Sequence, residues 1–336
     1  MRRFGVATWA FVVLVGPLGA QQTVEFSGLT WTVTAPDAQV EEYLGREALR
    51  LRNGGVFLTD VAFGDGRTPA EKRRLLRRSY EHLVRGLLVG LHATPFRPER
   101  VARWVDVPAE VHAHSRQLID SARRGVIVSG HYGSWEVLLG LPVLVPTLPS
   151  LSFLIQPLGH PAVDRFFEEL RTSGDAQSVA RRGGARQLTR HLAAGGVAGI
   201  LADRNVRTTE GGVWAPFLGL QAATATLPAR LARRFDVPVV PVFCVPTPSG
   251  RYRLEVGTDL TEGLDPDAPA AFDRAFAERW NRVLERRIRE QPEAWNWTFM
   301  RFKSRPDREL GPYPPYSGWR GPDPWADSTL ARQRQR

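Results

Sequence analysis

The chain of 336 residues holds a single cysteine, Cys244. No disulfide can close within it and no cysteine-based zinc site can form, so nothing here points to an oxidising compartment or a zinc module. Cys244 falls in the apolar run Val237-Pro-Val-Val-Pro-Val-Phe-Cys-Val245, where a thiol is expected as buried packing rather than as a nucleophile. Also missing are a Gly-x-Ser-x-Gly elbow, a His-Glu-x-x-His helix and a Gly-x-x-x-x-Gly-Lys phosphate loop. Their absence weakens the hydrolase, metalloprotease and nucleotidase classes. The composition carries no mark of collagen, coiled coil or wholesale disorder, and 43% hydrophobic residues over this length suit one large core.

Charge is unbalanced. There are 45 Lys and Arg against 35 Asp and Glu, a formal excess of +10. That suits anionic partners such as phospholipid head groups, phosphorylated glycolipids or nucleic acid, without choosing among them. The N-terminus is more specific: Met1-Arg2-Arg3 precedes a stretch from Phe4 to Ala20 with no charged residue. Its length is near the lower limit for a bilayer-spanning helix, and its ending at Gly19-Ala20 before Gln21 equally fits a cleavable secretory signal. A spanning, an interfacial and a cleaved segment all remain open at this point.

Further along, Val24, Phe26, Leu29, Trp31 and Val33 alternate about Ser27-Gly28, the pattern of a short hairpin. Helical spacing predicts helices over 40–53 and 68–92, the second opened by a capping box of Thr68 and Glu71 with Pro69 at the first helical position. From about residue 110, short apolar strands at 125–129, 151–155, 197–201 and 237–245 alternate with helices ending at 124 and at 135 onward, 162–172, 185–194 and 224–234. An edge strand at 251–257 and a long charged helix at 270–290 follow. Such alternation predicts an α/β fold, a mostly parallel sheet flanked by helices. Functional groups in such sheets gather beyond the carboxyl ends of the strands, and both His131 and Asp203 follow strand ends.

The segment Gly125-Val-Ile-Val-Ser-Gly-His-Tyr-Gly-Ser-Trp-Glu136 places a histidine after a buried strand and a carboxylate five residues later. On one continuous helix two such residues point apart, so they meet only across a turn, which Gly130 and Gly133 permit. Glu136 would then lie in the first helical turn, where the dipole favours its ionised form. A carboxylate on one imidazole nitrogen fixes the tautomer and prepares the other nitrogen as a general base. Taken alone, the pair is equally compatible with a structural histidine at a strand end.

With these motifs in view, the chain resembles the bacterial lipid A late acyltransferases, within the lysophospholipid acyltransferase group marked by His, four residues, then Asp or Glu. Besides His131 to Glu136, the resemblance runs through Ile155-Gln-Pro-Leu-Gly-His-Pro161 with Leu170-Arg171, and through Leu201-Ala-Asp-Arg-Asn205. It continues in order through Trp214-Ala-Pro-Phe-Leu-Gly219, Gln221-Ala-Ala-Thr-Ala-Thr226, Val237 to Phe243, Pro292 to Trp297, and Arg301-Phe-Lys-Ser-Arg-Pro306. It covers roughly 40–306. It implies a glycerolipid acyltransferase-like fold and transfer of a fatty acyl chain from an acyl thioester, carried by acyl carrier protein or CoA, to a hydroxyl of a lipid or glycolipid such as a lipid A precursor. It also implies His131 and Glu136 as the catalytic pair, with Arg171, Asp203 and Arg204 at the substrate. No metal or other cofactor is expected, nor nucleic acid as a partner. Since such thioesters are cytosolic, the expected place is the cytoplasmic face of the inner membrane.

Three departures bear on the acceptor: the family's Asp-Gln is Asp203-Arg204, an arginine in the strand before Pro157 is Gln156, and a histidine of the closing motif falls at Phe299. Asp203 reads equally as a contact to a sugar hydroxyl or as a turn cap, and Trp295 and Trp297 as interfacial or core residues. Arg181, Arg182, Arg186 and Arg190 read as a solvated helix face or as a contact to anionic head groups. The expected layout is an apolar anchor or signal-like segment over 1–21, an acyltransferase domain over 22–305, and a Pro-rich, poorly ordered tail over 306–336, where six prolines follow Ser304. Two rival readings stand beside transfer: a non-catalytic lipid- or nucleic-acid-binding protein that keeps the fold, and a thioesterase or lipase.

Overall fold

A computed structural model describes residues 57–93, 97–113, 124–155 and 176–306, the backbone of 22–26 and 29–33, and positions 55, 313 and 317. The expected helices at 40–53 and 162–172, the apolar segment 1–21 and Arg171 lie outside these residues. Strands β1 (Gln22–Phe26) and β2 (Leu29–Val33) pair antiparallel with Phe26 opposite Leu29, the hairpin the alternation predicted.

Among the described residues the main sheet has seven strands. In chain order they are β3 (Val105–Asp106), β4 (Gly125–Ser129), β5 (Leu151–Ile155), β6 (Gln177–Ala180), β7 (Val197–Leu201), β10 (Val239–Pro246) and β11 (Tyr252–Val256). Their order in space is β3-β11-β10-β4-β7-β5-β6. Strands β10, β4, β7, β5 and β6 pair in parallel, while β11 runs antiparallel to β10. The segment read as an edge strand is therefore interior: β3 pairs with it, a two-residue strand too short to show in the pattern. Strand β6 was also not anticipated, because its sequence Gln-Ser-Val-Ala carries one buried apolar side chain.

Both faces of the sheet are covered, which is why β4 reads as an unbroken apolar run. Val126 and Val128 pack on one side with Leu188 and Leu192 of α4 (Arg181–Ala193), with α5 (Leu227–Phe235) and with α6 (Pro269–Glu290). Ile127 faces the other side with Val89 and Ala93 of α1 (Pro69–Ala93), and with Val101 of the short helix α2 (Pro98–Ala102). Helix α6 buries Phe272, Phe276, Trp280, Leu284 and Ile288, one stripe at helical spacing. Each such side chain contributes roughly 1.5–3 kcal/mol by leaving water. The capping box closes as expected: Glu71 accepts from the Thr68 amide at 2.7 Å, and the Glu71 amide donates to Thr68 Oγ1 at 3.3 Å.

Two features differ from the sequence reading. The helix expected at Trp135 is a 3-10 helix over Trp135–Gly140, followed by the four-residue α3 (Leu141–Leu144). And the stretch before α5 is a hairpin, β8 (Gly212–Phe217) with β9 (Leu220–Ala225). Its two-residue turn is Leu218-Gly219, both at positive φ; a leucine there hides the usual Asn-Gly signal. Asn281 fastens the hairpin to α6 by donating to the Pro216 carbonyl at 2.9 Å. The fully buried Arg301 fastens it to the closing segment, residues 292–306, by donating to the Ala223 carbonyl at 2.9 Å and to Thr224 Oγ1 at 2.8 Å. Of the Pro-rich tail, Tyr313 exchanges hydrogen bonds with the Gln221 backbone and Ser317 donates to the Phe302 carbonyl, so at these two positions the tail lies on the domain.

Candidate active site

Strands β4 and β7 are parallel neighbours in register, with Ser129 opposite Leu201. Two residues beyond each strand's end, that register brings His131 opposite Asp203. The imidazole Nδ1–H donates to Asp203 Oδ1 at 2.7 Å, and the His131 backbone N–H donates to Oδ2 at 2.7 Å. Asp203 is fully buried. Burial opposes its ionisation, but the charge and hydrogen bonds of His131 and the indole N–H of Trp295 together hold its carboxyl below the usual carboxylate range. An ionised carboxylate can only accept, so Nδ1 carries the proton. Nε2 is then the nitrogen left to exchange a proton with a substrate.

The loop that carries His131 is clamped on both sides. Gly133 has φ +61, and a Cβ there would come within 1.9 Å of the Cys244 carbonyl oxygen, so only glycine fits. The Ser134 amide donates to that carbonyl at 3.0 Å. The Gly133 amide donates to the Ala294 carbonyl and the Asn296 amide to the His131 carbonyl, each at 2.9 Å, so the closing segment is laced to the histidine loop. Helix α1 approaches closely from the other side: Gly86 lies against the Gly133 carbonyl, and Ser134 Oγ donates to the Gly86 carbonyl at 3.0 Å.

The carboxylate on Nδ1 is thus Asp203, 72 residues on, where the His-x-x-x-x-Glu spacing pointed to Glu136. The physical reason lies in the loop. Tyr132 and Gly133 bridge to Trp295 and Cys244, so the chain crosses the strand ends through a turn at Gly133 before the 3-10 helix starts. Glu136 then sits at the second position of that helix, only 6% exposed, with its Cβ beside Gly90 of α1.

Aromatic rings surround the imidazole. Phe299 stands edge-on with centroids 4.3 Å apart, and Trp135 at 5.2 Å. The Arg204 guanidinium lies 5.0 Å over the Phe299 ring. The departures noted at 204 and 299 are therefore one stacked unit against His131. Trp295 and Trp297 are buried, which settles them as core, and Trp295 Nε1–H reaches Asp203 Oδ2 at 3.1 Å. Sequence reasoning missed that contact, since an indole shows no sign of what its N–H will meet. Cys244 is fully buried and its thiol is pushed up by burial, which suits packing. Arg186 and Arg190 are exposed on α4. Among the described residues no group of His, Cys, Asp and Glu gathers as a metal site.

A buried carboxylate–imidazole pair at the carboxyl ends of parallel strands can draw a proton from a hydroxyl or from water and return it to a leaving group. By sequence, residues 59–304 match the family described as bacterial lipid A biosynthesis acyltransferase. The chain is also 26% identical over 244 residues to the lipid A biosynthesis lauroyltransferase of Escherichia coli strain K12, a match covering 70% of this chain and 74% of that protein.

Proposed function

The chain belongs to the bacterial lipid A biosynthesis acyltransferase family, and from that premise we propose that it transfers a fatty acyl chain from an acyl thioester, on acyl carrier protein or CoA, to a hydroxyl of a lipid A precursor. The observation that carries the mechanism is the His131–Asp203 hydrogen bond of 2.7 Å at adjoining strand ends. In this reading Nε2 takes the acceptor's proton as its oxygen attacks the thioester carbonyl. Asp203 stabilises the imidazolium that forms, and the proton then goes to the departing sulfur. Glu136 adds a second buried carboxylate behind the loop. Arg171, placed here by the motif alone, and Arg204 supply cations for the acceptor's phosphate or the oxyanion of the intermediate.

The place is the cytoplasmic face of the inner membrane, because the donors are cytosolic. Attachment is assigned to 1–21 on the strength of its uncharged apolar stretch from Phe4 to Ala20, with 22–305 as the acyltransferase domain; among the described residues no helix is long and apolar enough to cross a membrane. Membranes containing the protein, given labelled acyl thioester and a lipid A precursor, should yield labelled lipid. General-base assistance is typically worth roughly 10²- to 10⁴-fold, so His131→Ala should nearly abolish the yield. Release of free fatty acid with no labelled lipid would favour a thioesterase, and full transfer by His131→Ala would overturn the mechanism.

A further inference from the structure

Asp203 Oδ2 accepts two N–H groups, the His131 amide at 2.7 Å and Trp295 Nε1 at 3.1 Å. The indole that donates is itself immobilised. It is fully buried, packed edge-on against Trp297 at 4.8 Å and Phe217 at 5.9 Å, and its residue's carbonyl accepts from Ser79 Oγ of α1 at 2.6 Å. The backbone of the same segment pairs with the histidine loop at residue 132. A side chain whose only polar atom is spent on a buried carboxylate, and whose ring is wedged by neighbours on two elements, sets the plane of that carboxylate. The plane of the carboxylate in turn sets the direction of Nδ1–H and so of Nε2.

We propose that Trp295 is a positioning residue for acyl transfer, its indole N–H fixing the Asp203 carboxylate and through it the tautomer and aim of His131. This rests on the acyltransferase reading above. Removing the donor leaves Oδ2 with less stabilisation of its charge, so the carboxylate pulls more strongly on the imidazole proton while being less well oriented. Other ionisable groups beside the pair in sequence are Glu136, on the 3-10 helix after the loop, and Arg204, next to Asp203 and over Phe299. Neither changes between the proteins compared in the test.

The test uses the full chain in membranes. Trp295→Phe keeps an aromatic ring and deletes the N–H. It should lower kcat about tenfold with the KM for acyl donor unchanged, and move the acid limb of the kcat/KM profile to higher pH. In an Asp203→Asn background the same change should have little further effect. Loss through a raised KM with the acid limb in place would assign Trp295 to packing and overturn the proposal, as would a wild-type rate. Should Trp295→Phe fail to fold, the ¹⁵N-indole resonances of the wild-type chain decide. One must shift as the pair titrates and shift again in Asp203→Asn; if none does, the proposal fails. Absence of lipid acylation by the wild-type protein would instead sink the acyltransferase reading and leave the indole resonance test standing.

Discussion

Exchanging Asp203 for asparagine separates the carboxylate seen on the imidazole from the one the motif spacing suggested. The side chain keeps its size, but its amide has one acceptor where the site has three donors: His131 Nδ1–H, the His131 amide and Trp295 Nε1–H. If the asparagine oxygen faces the two N–H groups at Oδ2, its NH₂ faces Nδ1. The proton is then driven to Nε2, the wrong tautomer for a base. If it turns the other way, the NH₂ meets two donors. The lost charge can be sized separately: two unit charges about 4 Å apart attract by about 4 kcal/mol at an effective dielectric of ~20. At ~1.4 kcal/mol per factor of ten that is a roughly 10³-fold loss in kcat, and the corresponding exchange in Ser-His-Asp enzymes costs about 10⁴. Initial rates of acyl transfer to a lipid A precursor, with Glu136→Gln measured beside Asp203→Asn, should put Asp203→Asn at least 10³-fold down on that basis and Glu136→Gln less affected. The reverse ranking would refute the argument and return Glu136 to the imidazole. The same pair of proteins carries a pH signature. The Asp203 carboxyl is held below its unfolded value of about 3.9, so its contribution to stability is present above that value and is lost as pH falls through the folded one. The gap in urea midpoint between wild type and Asp203→Asn should accordingly narrow below about pH 4; a gap independent of pH would mean the carboxylate is not ionised in the fold.

Two other outcomes follow from the loop and from the place assigned to the protein. Gly133→Ala combines a left-handed backbone, worth of order 1–3 kcal/mol for a non-glycine residue, with a Cβ 1.9 Å from the Cys244 carbonyl oxygen. It should lower the thermal midpoint markedly and abolish transfer, and a melting curve like that of the wild type would show that the 130–134 loop is not held as described. Protease added to intact spheroplasts should leave the domain uncut; cleavage from outside, or a mature chain beginning near Gln21, would make residues 1–21 a signal and a cytosolic donor untenable.

Local patterns carried most of the fold. The alternation of Val126, Ile127 and Val128 between two apolar layers, the stripe from Phe272 to Ile288, and the reciprocal bonds of Thr68 and Glu71 all depend on residues within a few positions of one another, so spacing alone made them visible. His131 and Asp203 were legible one at a time, each as the residue two places beyond a buried strand. Their bond was not, because it depends on β4 and β7 being neighbours with Ser129 opposite Leu201, and strand order is absent from any window of sequence. The same holds for Trp295: its indole meets Oδ2 only because the closing segment folds back along residues 131–133. Sequence determined which residue types were present, while tertiary structure decided which carboxylate accepts the hydrogen bond from the imidazole Nδ1. A hydrogen bond of 2.7 Å follows distance in space, and the register of two strands brought residue 203 to His131 Nδ1 across 72 positions of sequence.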